Sequence, residues 1–345
     1  MYGHRTRLSK LAMAAVFVCS LAACGSASAT SPAAAHAPSP TRVPPRPAPT
    51  PIPPPQSWLR HTTILTMYGR AFGVAPILGR LGMDSNFADL AAQVRPFVQG
   101  IRANDGGKQT RVAVHLIYAI ATPCSDSANC LGYLDDTGVN IVKQYIEPAA
   151  RRGWLVILDD QLGSSNPAAE MSRMIRKGYL RHDNVEVALD PEFRAAPGQA
   201  TPGIPVGSVQ ASEINQAQRL LSRYVAPQHL RHRKIVMVHQ FQGFMIGHRG
   251  QLRVHIPDID MVVAADGFGT PGIKAHVYSA LLGPAVSRRL PWRGIKLFYP
   301  NPNESAGHGD SPLMTWSQVF GHTPAIDSDG KRYFVRPAPN IVIVA

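Results

Sequence analysis

Short apolar runs rich in β-branched residues alternate with amphipathic stretches along most of this chain of 345 residues. We expect β-strands at residues 63–69, 112–120, 154–159, 185–190, 235–239, 259–266, 295–299 and 340–345. Helical patterns lie between several of them, at residues 86–101, 137–152, 211–224 and in a stretch from the capping residue Asn166 to residue 177. Strands that are apolar on both faces and joined by helices are typical of a covered parallel sheet. The sequence therefore predicts an α/β protein.

The number of strands narrows the choice among α/β folds. Eight strands within residues 58–345 fit a single (β/α)8 barrel of the TIM type, for which about 250 residues are usual. The eighth unit is irregular, because Gly321 and Pro324 lead into a polar stretch without a clear helix. An open doubly wound sheet is the alternative, but no Gly-x-Gly-x-x-Gly follows the first strand. We therefore expect a TIM-like barrel over residues 58–345.

The first 23 residues have the three parts of a secretion signal. Arg5, Arg7 and Lys10 give a positive start, residues 11–23 form an apolar core, and small residues end it. This core is shorter than the roughly 20 apolar residues that a helix needs to cross a bilayer. A charged start, a short apolar run and small residues are typical of a signal peptide. We expect residues 1–23 to be removed on export.

The end of this segment, Leu21-Ala22-Ala23-Cys24, resembles the lipobox of bacterial lipoproteins. The resemblance implies that Cys24 is acylated on sulfur by palmitate-type chains and becomes the new N-terminus. Several acyl chains at one site bind a membrane firmly, whereas a single chain binds only marginally. The resemblance therefore predicts a protein anchored in membrane lipid through Cys24, with its folded domain on the extracytoplasmic face.

Residues 24–57 are rich in proline and contain no acidic residue. Such a composition cannot bury enough apolar surface to offset the entropy lost on ordering, so the segment is expected to be disordered and extended. At about 3 Å per residue in the polyproline conformation, it would hold the domain tens of Å above the membrane. The segment is interpreted as a tether, and a proline-rich docking ligand is the alternative.

The net charge and the cysteines indicate the environment in which the domain works. The chain carries a net charge of +13, and five of the positive residues lie in residues 1–57, so residues 58–345 keep +8. A basic external domain favours anionic neighbours such as wall polymers or acidic glycans. Cys124 and Cys130 flank a polar loop in what would be an oxidising location, and no further soft metal ligands are near. We expect a disulfide between them.

Polar residues stand at the carboxyl ends of several predicted strands, where barrel enzymes carry their active sites. The carboxylates among them are the catalytic candidates, namely Asp160, Asp190, Glu192 and Asp266. The other polar groups are candidates for substrate binding, namely Tyr68, His239, Gln240, Lys296 and Tyr299. A carboxyl group above an apolar strand can have a raised pKa and act as an acid while a neighbour stays ionised. Glycoside hydrolysis needs carboxylates paired in this way.

The segment Leu189-Asp190-Pro191-Glu192 is similar to the end of the chitinase-type Asp-x-Asp-x-Glu signature of glycoside-hydrolase barrels. The resemblance implies that Glu192 is the general acid and Asp190 its partner. Ala188 stands where the signature has another Asp, which argues against substrate-assisted chitinase chemistry. We expect a glycoside-hydrolase-like protein that acts on a cell-wall or extracellular polysaccharide.

A barrel without catalytic activity is the main alternative, because barrels host both enzymes and binding proteins. Such a lipoprotein would bind a glycan or a wall polymer, or serve as an envelope scaffold. The sequence contains no Gly-x-Ser-x-Gly nucleophile elbow. The sequence gives no reason to expect a metal ion, a cofactor or a nucleic-acid partner, and the protein is expected to be a monomer.

Overall fold

The computed structural model describes residues 53–74, 79–124, 129–196, 198–300 and 309–345. The predicted signal peptide, Cys24 and most of the predicted tether lie outside these residues. Residues Ile52–Ala345 form one compact unit. In the part of the chain that the structure describes, no helix is both long and apolar enough to span a membrane.

Eight parallel strands form a closed barrel. They are β1 (Thr62–Gly69), β2 (Gln109–Ala121), β3 (Leu155–Asp160), β4 (Val185–Leu189), β5 (Lys234–Gln240), β6 (Ile259–Ala265), β7 (Trp292–Leu297) and β8 (Ile341–Val344). Each strand pairs with the next along the chain, and β8 pairs with β1 with Ile341 opposite Ile64. The predicted TIM-like barrel is confirmed, and the open sheet is excluded because β1 pairs with both β2 and β8.

Side chains alternate between the two faces of each strand, so each strand serves two cores. Ile64, Ile157 and Met237 belong to a buried cluster inside the barrel, the lumen. Leu65 and Val114 belong to a second cluster, which lies between the strands and the helices. The strands are apolar on both faces because both faces are covered.

The α-helices within the described residues are α1 (Phe87–Gln93), α2 (Arg95–Arg102), α3 (Glu147–Arg151), α4 (Pro167–Arg176), α5 (Ala211–Val225), α6 (Pro271–Leu282) and α7 (Trp316–Val319). The predicted helix at 86–101 is two helices, α1 and α2, with Pro96 in the first turn of α2, where its missing N–H is tolerated. A π-helix, Val142–Ile146, precedes α3. Asn166 caps α4 as predicted, accepting from the backbone N–H groups of Ala168 and Ala169.

Short elements complete the chain between these helices and strands. One-turn 3-10 helices lie at Arg80–Met83, Leu134–Thr137, Tyr179–Arg181, Pro191–Phe193, Ala226–Gln228, Gly243–Met245 and Arg249–Gln251. Two small pairings join Val209–Gln210 to Ile246–Gly247 and Ala325–Ile326 to Arg332–Tyr333. Leu131–Tyr133 pairs antiparallel with the end of β2. The predicted disulfide between Cys124 and Cys130 is present next to that pairing, with the two Cα atoms 4.9 Å apart.

The first described residues pack against the amino end of the barrel. Gln56 pairs with His232, just before β5, and the rings of Trp58 and His232 stack with centroids 3.3 Å apart. Leu59 is fully buried in the lumen cluster. The polar residues predicted at the strand ends lie at the opposite, carboxyl end of the barrel.

Candidate active site in the barrel lumen

Two side chains from strands that do not pair meet inside the barrel. Asp159 is the last but one residue of β3 and His239 is the last but one residue of β5, and β4 separates these strands. Asp159 Oδ2 nevertheless lies 3.3 Å from His239 Nε2, and both side chains are fully buried. The contact can form only across the lumen, so both residues face inward.

Further polar side chains extend this contact in both directions. His115 Nε2 lies 3.2 Å from Asp159 Oδ2, and His115 Nδ1 lies 3.2 Å from Thr66 Oγ1. On the other side, Asp266 Oδ2 lies 3.2 Å from His239 Nδ1 and 3.2 Å from Lys296 Nζ. We call this set the lumen network; it consists of Thr66, His115, Asp159, His239, Asp266 and Lys296. Six of the eight strands, or the residue directly after them, contribute to it.

Tyr68 completes the wall of the lumen beside this network. The Lys296 ammonium lies 3.9 Å from the centroid of the Tyr68 ring, a distance at which a cation is attracted to the ring face. The Tyr68 hydroxyl is buried, and it has no hydrogen-bond partner among the described residues. A buried hydroxyl without a partner is costly, which makes this group available to a ligand.

The two aspartates of the lumen network are held ionised. Burial by itself would raise the pKa of Asp159, but the charge of His239 and contacts from both imidazoles hold that pKa below the ordinary aspartate range. Burial would also raise the pKa of Asp266, and the Lys296 charge and His239 lower it. The shared histidine therefore serves as a cationic bridge between two carboxylates.

The two histidines differ in protonation. Burial lowers the pKa of His239, but Asp159 and Asp266 on its two sides raise it to about 10. For His115 burial dominates over the attraction of Asp159, and its pKa falls to about 4. At neutral pH His239 is thus an imidazolium and His115 is neutral, so Thr66 and Asp159 fix the His115 tautomer.

Asp190 and Glu192 follow β4 at the carboxyl end of the lumen. Glu192 is half-buried in the 3-10 helix Pro191–Phe193, and burial together with the negative charge of Asp266 raises its pKa to about 7. Asp190 is buried, and desolvation raises its pKa well above the ordinary value. Its Oδ1 atom has no hydrogen-bond partner in the described part of the chain. With its pKa raised to about 7, Glu192 is the carboxyl group of this pair that can gain and lose a proton near neutral pH.

Three predicted site residues make their contacts away from the lumen. Asp160 adjoins Asp159 and faces the other side of β3, where its Oδ1 accepts from the Leu162 N–H at 2.7 Å. Gln240 donates to the carbonyl groups of the loop after β5. Tyr299 packs edge-on against Phe97 of α2 with ring centroids 5.1 Å apart. These contacts direct all three side chains toward residues outside the lumen network.

The other predicted residues come together, and three more appear that the sequence candidates did not include. Tyr68, His239, Asp266 and Lys296 surround the same part of the lumen, with Asp190 and Glu192 interacting electrostatically with them. The additions are Thr66, His115 and Asp159. A lone histidine within the apolar run of β2 was the available signal for His115. For Asp159 the choice between neighbouring aspartates depended on knowing which face of β3 is inward.

Three members of the lumen network have donor atoms close enough to hold a metal ion. The ligand atoms of His115, Asp159 and His239 all lie within 4.8 Å of one another. The positive charge of Lys296 acts on both imidazoles and would repel a divalent cation. We therefore interpret the contacts as hydrogen bonds and ion pairs.

Comparison with protein-family models and with curated proteins finds no match for this chain. The function is therefore inferred from the geometry of the lumen.

Proposed function

We propose that the domain is a glycoside-hydrolase-like enzyme in which Glu192 is the general acid and Asp266 is the ionised partner carboxylate. The main support for the proposal is that the pKa values of Glu192 and Asp266, two carboxyl groups at the same barrel mouth, are shifted in opposite directions. Burial raises the pKa of Glu192 to about 7, whereas Lys296 and His239 hold the pKa of Asp266 below its ordinary value despite burial. Glycosidic cleavage uses one carboxyl group that holds a proton and one carboxylate that stays ionised, and this separation of pKa values suits that chemistry.

The position of Glu192 suits proton donation. Its side chain is half-buried, so a substrate oxygen can reach it from the mouth of the barrel. The proton that it holds near neutral pH can pass to the leaving oxygen of a glycosidic bond. Asp190 lies two residues earlier and is fully buried, and its role in the proposal is to adjust the charge around Glu192.

Asp266 is suited to the opposite role. Its Oδ2 contacts Lys296 and His239, and its Oδ1 accepts from the Gly267 N–H at 2.7 Å. These donors keep the carboxylate charged, and a fixed negative charge stabilises the positive charge that develops on the sugar ring. Asp160 has no catalytic role in this proposal because it faces away from the lumen.

Exposed aromatic rings at the same end of the barrel support a carbohydrate substrate. Phe244 follows β5 and is 58% exposed, and Phe268 follows β6 and is 52% exposed. Apolar ring faces exposed beside polar groups can stack on sugars. The lipobox at Cys24 extends the proposal: the domain is lipid-anchored on the extracytoplasmic face and acts on a wall or extracellular polysaccharide. No metal or cofactor takes part.

The test is hydrolysis of a broad polysaccharide panel by the full chain, followed as released reducing ends. Glu192→Gln should lower kcat/KM about 100-fold or more, the usual contribution of a general acid, with the near-UV circular dichroism unchanged. Glu147→Gln is the matched control, because Glu147 is an exposed residue at the start of α3. This control should retain full activity.

Two other outcomes would contradict the proposal. Hydrolysis that continues unchanged in Glu192→Gln would place the chemistry on another group. Absence of hydrolysis on every polymer, with retention of one polymer by both wild type and variant, would establish the alternative of a non-catalytic glycan-binding lipoprotein. In that case Phe244→Ala should weaken the retention.

A further inference from the structure

The outer layer of the barrel lacks a helix between β5 and β6. Residues 241–258, all of which the structure describes, contain two one-turn 3-10 helices and an extended segment, but no α-helix. A cavity of about 460 Å³ lies at this place. Pockets of about 300–1,000 Å³ are the size that binds small molecules.

The floor of this cavity is apolar. Val263 of β6 and Leu290 are buried, and Leu252 and Val254 of the extended segment stand beside them. Val286 on the lining is 57% exposed.

The polar part of the lining is cationic. Arg249, Arg288 and Arg289 line the cavity, and no acidic residue does so within the described chain. Arg288 and Arg289 are exposed, whereas Arg249 is partly buried and its Nη2 donates to Ser287 Oγ at 3.2 Å. Among the described lining residues, the cavity therefore offers several guanidinium donors without a carboxylate to receive them.

A further guanidinium group, on the buried residue Arg293, adds to the excess of positive charge near the cavity. Arg293 is 7% exposed and donates to the carbonyl oxygen of the same Ser287 at 2.9 Å. Burial lowers the pKa of Arg249, and the like charge of Arg293 lowers it further. Neither arginine forms an ion pair with a carboxylate among the described residues. Buried charges are ordinarily paired, so the positive charge at and behind this lining favours an anionic ligand.

We propose that this cavity binds an anionic phospholipid, with its phosphodiester on Arg249, Arg288 and Arg289 and its apolar chain on the floor formed by Val263 and Leu290. Guanidinium groups match the geometry of phosphate oxygens. The apolar floor distinguishes a lipid from a free phosphate, because the floor would remain unused by the latter. The cavity lies outside the lumen, so this inference is independent of the proposed hydrolase activity.

Isothermal titration calorimetry with short-chain, monomeric lipids tests the proposal. The full chain carrying Cys24→Ser, which removes any bound acyl group, is titrated with dihexanoylphosphatidylglycerol, dihexanoylphosphatidylcholine and glycerol 3-phosphate. We expect the phosphatidylglycerol to bind at least tenfold more tightly than either of the others. Arg249→Met should weaken this binding at least tenfold, whereas Arg253→Met, an exposed arginine that does not line the cavity, should leave it unchanged.

Should Arg249→Met fail to fold, the exposed pair Arg288→Met and Arg289→Met is the second variant, and the same loss is expected. Equal binding of glycerol 3-phosphate would show a phosphate site without lipid recognition and would overturn the proposal. Equal binding of the phosphatidylcholine, no binding of any probe, or unchanged binding in the arginine variants would each overturn it as well.

Discussion

Asp159 Oδ2 and His239 Nε2 lie 3.3 Å apart across the lumen, although their strands are separated by β4. His239 also contacts Asp266 through its other ring nitrogen. One imidazolium thus fixes two carboxylates from different strands. The position of the carboxylate proposed to act on the substrate depends on this bridge.

We expect His239→Asn to destabilise the protein by about 3 kcal/mol, the usual cost of removing one partner from a buried ion pair. The reason is that Asp159 and Asp266 would lose the cation between them. Urea denaturation at pH 7 measures the free energy of unfolding. His255→Asn is the control, because His255 is exposed, and it should change stability by less than about 0.5 kcal/mol. A His239 variant as stable as this control would contradict the bridging role.

The pH dependence of hydrolysis should follow Glu192. A general acid must carry a proton, and burial with the charge of Asp266 raises the pKa of this group to about 7. We expect kcat/KM to be highest below pH 7 and to fall tenfold per pH unit above it. The profile is measured from pH 5 to 9 on the substrate found in the panel. If residual activity in Glu192→Gln keeps the same alkaline limb, another group carries the proton.

Stability should also depend on pH through Glu186, a buried residue at the amino end of the lumen. Burial raises its pKa to about 8, against the attraction of Lys234. Because the folded pKa exceeds the unfolded value of about 4.3, the folded state binds more protons in between. This contribution to stability is fully present below pH 4.3 and is lost as the pH rises through 8.

Glu186→Gln should remove that loss. Glu186 Oε2 accepts from the Ile235 N–H, and the amide oxygen of Gln can accept the same bond. As the pH rises from 5 to 8, the free energy of unfolding should fall in the wild type by up to about 1 kcal/mol per pH unit more than in the variant. Urea denaturation at pH 5, 6.5 and 8 provides the comparison. Glu147→Gln should parallel the wild type; parallel curves for Glu186→Gln would show that this carboxyl does not titrate as described.

Chelation should leave the protein unchanged. The Asp159 carboxylate already contacts both His115 and His239, and Lys296 supplies the local positive charge. We expect dialysis against EDTA to change neither the Tm nor the rate of hydrolysis. A fall in Tm that Zn²⁺ or Mn²⁺ restores would show instead that these three residues hold a metal ion.

Sequence patterns located most of the elements on which the site stands. The eight strands and the cap of α4 at Asn166 were predictable because apolar runs and capping residues act locally. The helical pattern at 86–101 did not reveal the division into α1 and α2. The division falls just before Pro96, whose ring is compatible only with the first turn of a helix.

The inward face of each strand was not predictable in the same way. A barrel strand is apolar on both faces, so its sequence lacks the alternation that would show which face is the lumen. Side chains of two adjacent residues in a strand point to opposite faces, so an error of one residue places the wrong side chain in the lumen. For that reason Asp160, Gln240 and Tyr299 were candidates although they face other parts of the structure, and the inward direction of His115 and Asp159 was found only in the closed barrel.

The sequence by itself determined the α/β class with eight strands, and it predicted that Cys124 and Cys130 pair and that acidic groups such as Asp190, Glu192 and Asp266 collect at the strand ends; closure of the barrel was decided by the structure. These results follow from local patterns and from the fact that parallel strands end on the same side. Only the tertiary structure decided that His239 bridges Asp159 and Asp266 and that Arg249 and Arg293 share Ser287 with no carboxylate partner among the described residues. Both arrangements join residues far apart in the chain, and their charges are set by burial, which no local pattern records.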